Sequence, residues 1–356
     1  MADVLRSLKL LEVLKESMEK NRLSEVKDAV EDLLISRINI GVVGERGLEK
    51  AALINSLRGL GPEDSGAVQF PSPEATAADE LVVYPNPKHP DFRLWDIPEV
   101  PETSPFDPEE YMQRVRLLRY NAVIITSCRS FHPNSTTLWR EARAVQREAV
   151  YFALLASSER DSRESLEARR KASLEAMGAT GGGVACPKLF LVCGSALERL
   201  DFPDLLEELE RDLPEIKASA LLLALPALSV SVVTRKRDTL KALVWAAASL
   251  SGGVSAIPVP LVSSMVDASV AVRILNKARD SLSLDDESVT KGGVKKLLAE
   301  ADKEKPTGSR FVEMALPMTA KSASRSFTTM FLALNGAIDD MAADAEKVVK
   351  TAIGEA

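Results

Sequence analysis

RINIGVVGERGLEKAALINSL, residues 37–57, decides how the rest of the chain is read. Its first half is a short β-branched run ending at Gly44, which reads as a strand entering a turn. Its second half opens a helical stretch, Lys50 to Arg58. Between them GERGLEKA (44–51) occupies the place of a phosphate loop, whose working pattern is GxxxxGK[ST]. In such a loop the first glycine permits the turn. Backbone N–H groups and the helix N-terminus then hold phosphate, the lysine neutralises charge, and the hydroxyl ligates Mg²⁺. Gly44 and Lys50 match, and Gly47 adds a loop glycine. The second pattern glycine is Glu49 and the hydroxyl position is Ala51. A carboxylate about 4 Å from one phosphate charge is repelled by roughly 4 kcal/mol at an effective dielectric of about 20. As a bare pattern the loop fails. A strand–turn–helix connection with incidental glycines is the competing reading.

Further strands are expected at 81–84, 92–96, 122–127, 150–155 and 189–193. Helical stretches separate most of them: Pro108 to Leu118, Leu138 to Glu148 and Arg160 to Met177. Strands alternating with helices imply a mostly parallel sheet covered on both faces. Gly181–Gly183 reads as a loop and Lys303–Ser309 as a linker. Before Arg37, a helix places Val4, Leu8, Leu11, Leu14 and Met18 on one stripe, and Ser24 is expected to cap a second helix carrying Val26, Val30, Leu33 and Leu34. After about Pro214 the strand signal stops. The domains expected are therefore 1–36 as N-terminal helices, 37–214 as the α/β domain, and 215–356 as a C-terminal helical domain.

Composition narrows the function classes. The 356 residues are 46% hydrophobic and 27% charged, an ordinary globular balance and enough chain for about two domains. Lys plus Arg is 45 against 52 Asp plus Glu, a net charge of −7. Acidity and an aromatic content of 5% exclude a nucleic-acid binder. Three cysteines (Cys128, Cys186, Cys193) without a CxxC pair, and only His89 and His132, argue against a disulfide framework or a zinc site. The N-terminus lacks a signal-peptide run, so a reducing, cytoplasmic setting is expected. Ala242–Val266 has no charged residue, but Gly252-Gly253, Pro258 and Pro260 break a single spanning helix.

Several longer segments then carry a resemblance. They are INSLRGLG (54–61), YPNPKHPDFRLWDIPEV (84–100), DPEEYMQRVRLLRYNAVIITS (107–127) and PKLFLVCGSALERLDFPDLLEELERDLP (187–214). ALLLALPALS (220–229), Trp245, LSLDDESV (282–289) and SFTTMFLALNGAIDDMAADAEKVV (326–349) extend them. Together they resemble the immunity-related GTPases, the interferon-inducible family, from about residue 20 to the C-terminus. The resemblance implies an α/β G domain, Ras-like, inserted into an α-helical domain built from the N- and C-terminal segments.

Carried over position by position, the family's nucleotide machinery is degraded. The switch-I threonines fall near Ala77 and Ala78, beside Thr76. DxxG falls on Asp96 to Glu99, keeping the aspartate and losing the glycine. The guanine-reading TKxD falls on Leu155, Ala156, Ser157 and Ser158, without its lysine or carboxylate. The base-contacting loop falls on Cys193, Gly194 and Ser195. Gly44, Gly47, Lys50 and Asp96 are thus the residual site residues, with no catalytic residue and no protein metal ligand. Lys50 and Asp96 are alternatively a surface or intra-loop ion pair with no ligand role. This resembles the quasi-GTPase branch of the family.

The implied function is a pseudo-GTPase scaffold or regulator in cell-autonomous immunity, membrane trafficking or autophagy. It needs no cofactor and partners other proteins, related GTPases among them, through the G-domain face. The alternative is a weak GTPase using GTP/GDP with Mg²⁺ at intracellular membranes. Peripheral endomembrane contact through an amphipathic C-terminal helix is a third option. Three local features have plain structural readings: the histidines as loop residues, Trp95 as core packing, and Cys128 and Cys193 as inert thiols. Asp201–Leu205 (DFPDL) has the form of a strand-addition peptide for ubiquitin-like autophagy modifiers. Its competing reading is a helix start capped by Asp201 and anchored by Phe202.

Overall fold

The computed structural model describes residues 2–70, 80–145, 149–157, 161–179, 187–252, 268–284 and 327–353. Thr76, Ala77, Ala78, Ser158, Cys186, Gly181–Gly183, Lys303–Ser309 and residues 254–266 lie outside them. The chain divides into two compact units, Met1–Ser36 with Ser219–Ala356, and Arg37–Ala218. The first begins with α1 (Ala2–Glu19) and α2 (Leu23–Ile35). The buried line of α1 runs through Leu10, Leu14 and Ser17, while Leu11 and Met18 are only partly covered. The stripe is rotated from the expected one because Ser17, a polar residue, takes an inward position that periodicity assigns to apolar ones. Helix α2 buries Val26, Val30, Leu33 and Leu34 as expected. It starts two residues earlier than a Ser24 cap would dictate, with Arg22 at its N-cap and no side-chain cap.

The second unit is built on β1 (Ile38–Val43), β2 (Val82–Pro85), β3 (Phe92–Ile97), β4 (Ala122–Ser127), β5 (Val150–Ala156) and β6 (Leu189–Cys193). Their order in the sheet is β2-β3-β1-β4-β5-β6. Every neighbouring pair is parallel except β2 with β3. Strands β5 and β6 are buried along their whole length, which is why they read as unbroken apolar runs. Strand β3 alternates at its start, with Phe92 and Leu94 buried and Arg93 exposed. The helices are α3 (Leu48–Leu57), α4 (Pro108–Arg114), α5 (Pro133–Ala144), α6 (Arg163–Ala179) and α7 (Phe202–Asp212), with a 3-10 turn at Leu117–Arg119. This is the Ras-like, mostly parallel α/β architecture.

Cap chemistry sets the helix bounds that periodicity misplaced. Asp107 Oδ1 accepts from the backbone N–H groups of Glu109 (2.9 Å) and Glu110 (3.2 Å), with Pro108 opening α4. That helix stops at Arg114, short of Leu118, because Arg116 turns the chain at φ +52°. The turn lets Val115, Leu117 and Tyr120 enter the core, and Tyr120 donates to the Val115 carbonyl at 2.9 Å. Helix α5 begins five residues before the expected Leu138, since His132 Nδ1 caps it by accepting from Asn134 N–H and Pro133 follows. Asp201 does not cap α7. Its backbone N–H donates to Leu191 O and its carboxylate accepts from Leu191 N–H, each at 2.9 Å. The outer edge of β6 is thereby paired. Phe202 is buried at the first turn of α7, so DFPDL is not displayed as an extended peptide.

After Pro214 the described residues form no strand, and their helices are α8 (Glu215–Ala224), α9 (Val230–Gly252), α10 (Ala268–Ser281) and α11 (Phe327–Ile353). Helix α9 is the hub of the helical unit and packs on α1, α2, α10 and α11. Its Leu240, Leu243, Val244 and Ala246 meet a core that includes Leu14 of α1, Leu33 of α2, Ile274 of α10 and Met341 of α11. Two lysines are buried there. Lys236 donates to the carbonyls of Leu225 and Ser281, at the ends of α8 and α10. Lys277 donates to Ser36 Oγ, at the end of α2, at 2.5 Å. Both amines sit where helix C-termini concentrate negative potential. Among the described residues no helix is long and apolar enough to cross a membrane.

Candidate functional site

The site lies at the carboxyl ends of β1, β3, β4, β5 and β6, where open α/β sheets bind ligands. Gly44 follows β1 with φ +152°, a conformation open to glycine. A Cβ there would stand 2.3 Å from Thr126 Oγ1 and 2.6 Å from Thr126 O. Thr126 in turn donates to the Val43 carbonyl at 2.8 Å, tying β4 to β1 at the turn. Gly44 is therefore required by close backbone approach, whatever the loop binds. Gly47 differs: it is the extended N-cap of α3, and an added Cβ would meet only Glu49 Oε2 at 3.9 Å.

Lys50 points inward. It is 2% exposed, and its Nζ donates to Gly44 O at 2.8 Å and Ile97 O at 2.7 Å. The same amine pairs with Asp96 Oδ1 at 2.5 Å. Burial pushes its pKa below the usual lysine range, with Asp96 opposing. Arg46, from the loop, brings Nε to 3.6 Å from Asp96 Oδ2 and donates through Nη2 to Glu80 O at 2.9 Å. The two oxygens of Asp96 therefore each face a cation of the protein. Lys50 and Asp96 pair as the alternative reading had it, but in the interior and not on the surface.

Glu49 is partly buried, with Oε2 at 3.9 Å from Cys128 Sγ beyond β4. Burial, then the Glu49 and Glu45 carboxylates, push the Cys128 thiol up to about 11, so it carries no thiolate at neutral pH. Glu99, at the lost glycine of DxxG, is exposed. At the described base-reading positions of β5 there is no lysine or carboxylate. Leu155 and Ala156 are buried residues of β5, and Ala156 pairs with Cys193 in register. Ser157 N–H donates to Asp161 at 2.9 Å. Asp161 pairs with Arg169 of α6 at 2.7 Å, and Arg169 also donates to Cys128 O. Gly194 packs so closely on α3 that a Cβ would lie 2.7 Å from both Glu49 O and Leu53 N.

Sequence reasoning found Gly44, Lys50 and Asp96, and these three meet. It missed Arg46, Thr126, Asp161 and Arg169. Their partners are 34, 83 and 41 positions away for Arg46, Thr126 and Arg169, so no local pattern marks them. Of the expected plain features, His89 is buried in the loop after β2, where its N–H donates to Asn86 Oδ1. Trp95 packs against the core, bonds Asn39 through Nε1 at 2.9 Å, and carries the Arg119 guanidinium 3.7 Å from its ring centroid.

A six-stranded sheet in this order, with a strand–loop–helix closing on an aspartate at the end of β3, defines a Ras-like G domain. Residues 7–347 match the family model described as "Interferon-inducible GTPase (IIGP)". The chain is 30% identical to "Interferon-inducible GTPase 5" of Bos taurus, covering 99% of this chain and 84% of that one. The protein of the same name in Rattus norvegicus is 29% identical over the same shares. "Interferon-gamma-inducible GTPase 10" of Mus musculus is 30% identical, covering 75% of this chain and 65% of its own. The chain belongs to the interferon-inducible GTPase family.

Proposed function

We propose that this chain is a pseudo-GTPase of its family, acting as a scaffold or regulator in cell-autonomous immunity or membrane trafficking and autophagy. The observation that carries the reading is Lys50. Its amine is fully engaged by Gly44 O, Ile97 O and Asp96, and is buried. Turning it toward a phosphate would leave two carbonyls unpaired, at about 1–3 kcal/mol for each, and would leave the buried Asp96 carboxylate with Arg46 alone. Glu49 adds a carboxylate to the loop, and Ala51 offers a metal no hydroxyl. Asp96 has both oxygens turned to cations. These residues do not fit a Mg²⁺–nucleotide.

On this reading the residual positions Gly44, Lys50 and Asp96 have become structural, while Gly47 is a loop glycine with room for a side chain. The molecule works in the cytoplasm through protein partners, related GTPases among them; its helical domain is residues 1–36 and 215–356, and peripheral endomembrane contact through an amphipathic C-terminal helix is a separate option. Retention of Gly44, Lys50 and Asp96 favours a second reading, a weak GTPase at intracellular membranes using GTP/GDP and Mg²⁺. Thermal melting separates the two. A ligand that does not bind cannot stabilise, so excess GTP with Mg²⁺ leaves the melting temperature unchanged under the first reading. A rise of several degrees supports the second.

A further inference from the structure

In a GTP-driven switch, the segment leading into the strand that pairs antiparallel with β3 is ordered by the γ-phosphate and its Mg²⁺, and released on hydrolysis. That strand is β2 here, paired Val82↔Asp96 to Pro85↔Arg93. It is held at both ends by arginines that flank α3. Before the helix, Arg46 donates through Nη2 to Glu80 O at 2.9 Å while its Nε faces Asp96 Oδ2 at 3.6 Å. After the helix, Arg58 donates through Nε to Pro85 O at 3.0 Å and through Nη1 to Gly66 O at 2.9 Å, and lies over the Tyr84 ring at 5.6 Å. Asn86 Nδ2 returns a bond to Arg58 O at 3.2 Å.

Resting on the pseudo-GTPase reading, we infer that Arg46 is a built-in replacement for the metal–phosphate link: it locks the entry to β2 onto the phosphate loop and Asp96, so that this edge of the sheet has one set conformation and does not cycle. The chemistry matches the role. A guanidinium is always charged and presents several donors in a rigid fork. One fork here joins a backbone carbonyl of the switch side to the carboxylate that ends β3. Lys50 satisfies the other oxygen of Asp96 from beneath, which keeps that carboxylate facing Arg46. A metal ion would bring the same positive charge to the same carboxylate, but only while nucleotide stayed bound. Arg46 brings it permanently. Arg58 anchors the far end, so the strand is fixed to α3 at both ends by covalently attached cations.

The test is hydrogen exchange on the purified full-length chain, comparing wild type, Arg46→Gln and Arg46→Lys, each with and without Mg·GTP. Amides of 81–84 in the wild type exchange slowly and at the same rate with or without nucleotide. Arg46→Gln speeds their exchange at least tenfold, while β4 and β5 keep wild-type protection and show that the domain is folded. Arg46→Lys keeps the charge but cannot reach both partners, and gives an intermediate rate. If Arg46→Gln leaves exchange at 81–84 unchanged, the lock is wrong, even where no nucleotide binds and the pseudo-GTPase reading stands. If Mg·GTP binds the wild type while Arg46→Gln still loosens β2, the pin on β2 stands and the pseudo-GTPase reading falls. If Mg·GTP itself slows exchange at 81–84, the claim of a single set conformation is overturned.

Discussion

Lys50 shows how one side chain changes role without changing identity. In a working phosphate loop its amine serves the ligand; on the proposed reading it serves the fold, through Gly44 O, Ile97 O and Asp96. Replacing it with alanine leaves Asp96 with Arg46 alone and two carbonyls without their donor, and removing one partner of a buried pair costs about 3–5 kcal/mol. Urea unfolding of Lys50→Ala is expected to lose stability in that range, with or without nucleotide. A loss under about 1 kcal/mol would mean the amine is not engaged as described. The pairing of Lys50 with Asp96 was legible in the sequence, because both positions belong to one known motif set. Its depth was not, since that depends on the Gly44 turn and on the Ile97 carbonyl from a strand 47 positions on. The base-reading end teaches the converse. Sequence alignment suggests that Ala156→Lys and a carboxylate at 158 would rebuild guanine recognition. Ala156 is 4% exposed within β5, so a lysine there forces an ammonium into a packed strand. Ala156→Lys is expected to lower the melting temperature by several degrees and to confer no base selectivity. A stable variant with guanine preference would show that the end of β5 is looser than its packing implies.

Elements were read best where one signal dominated. All six strands were found to within about one residue, because the five parallel ones are short, largely buried apolar runs bounded by turns and the antiparallel β2 is a β-branched run ending at Pro85. The start of α4 at Pro108, capped by Asp107, was read correctly, but helix bounds failed where His132 sets the start of α5 and where the left-handed backbone of Arg116 ends α4. Buried lysines in α9 and α10 had no sequence signal, since a cation satisfied by distant helix ends looks like any surface lysine. They have a measurable consequence. Burial pulls Lys277 down to about 7, with Asp280 opposing. The unfolded chain holds this proton up to about pH 10.4. Between the two values the unfolded state binds more protons, so stability rises with pH from about 7 to about 10 through this group, and the full cost of burying it applies below 7. Lys277→Met removes the titration. The wild-type-minus-variant difference in unfolding free energy, measured from pH 6 to pH 10, is expected to climb by a few kcal/mol as the pH rises. A flat difference would show that Lys277 keeps its proton in the folded protein.

For the molecule as a whole, the fold is that of the interferon-inducible GTPases, while on the proposed reading the loop chemistry does not suit a nucleotide. If the defect is confined to the motif residues, Glu49→Gly with Ala51→Ser removes the carboxylate and returns a hydroxyl. That pair is expected to bring weak Mg·GTP binding with little base preference, because Ala156 and Ser157 still read nothing on the ring. Strong guanine selectivity from the pair alone would place base recognition elsewhere. Absence of binding in the folded double variant would mean that Lys50 and Arg46 hold Asp96 too firmly to be recruited. The central claim is that the wild-type chain does without nucleotide, and isothermal titration of the purified full-length protein with Mg·GTP and Mg·GDP tests it most directly. The account predicts no saturable heat through the micromolar range, with any dissociation constant in the millimolar range or beyond. A micromolar dissociation constant for either nucleotide would contradict it.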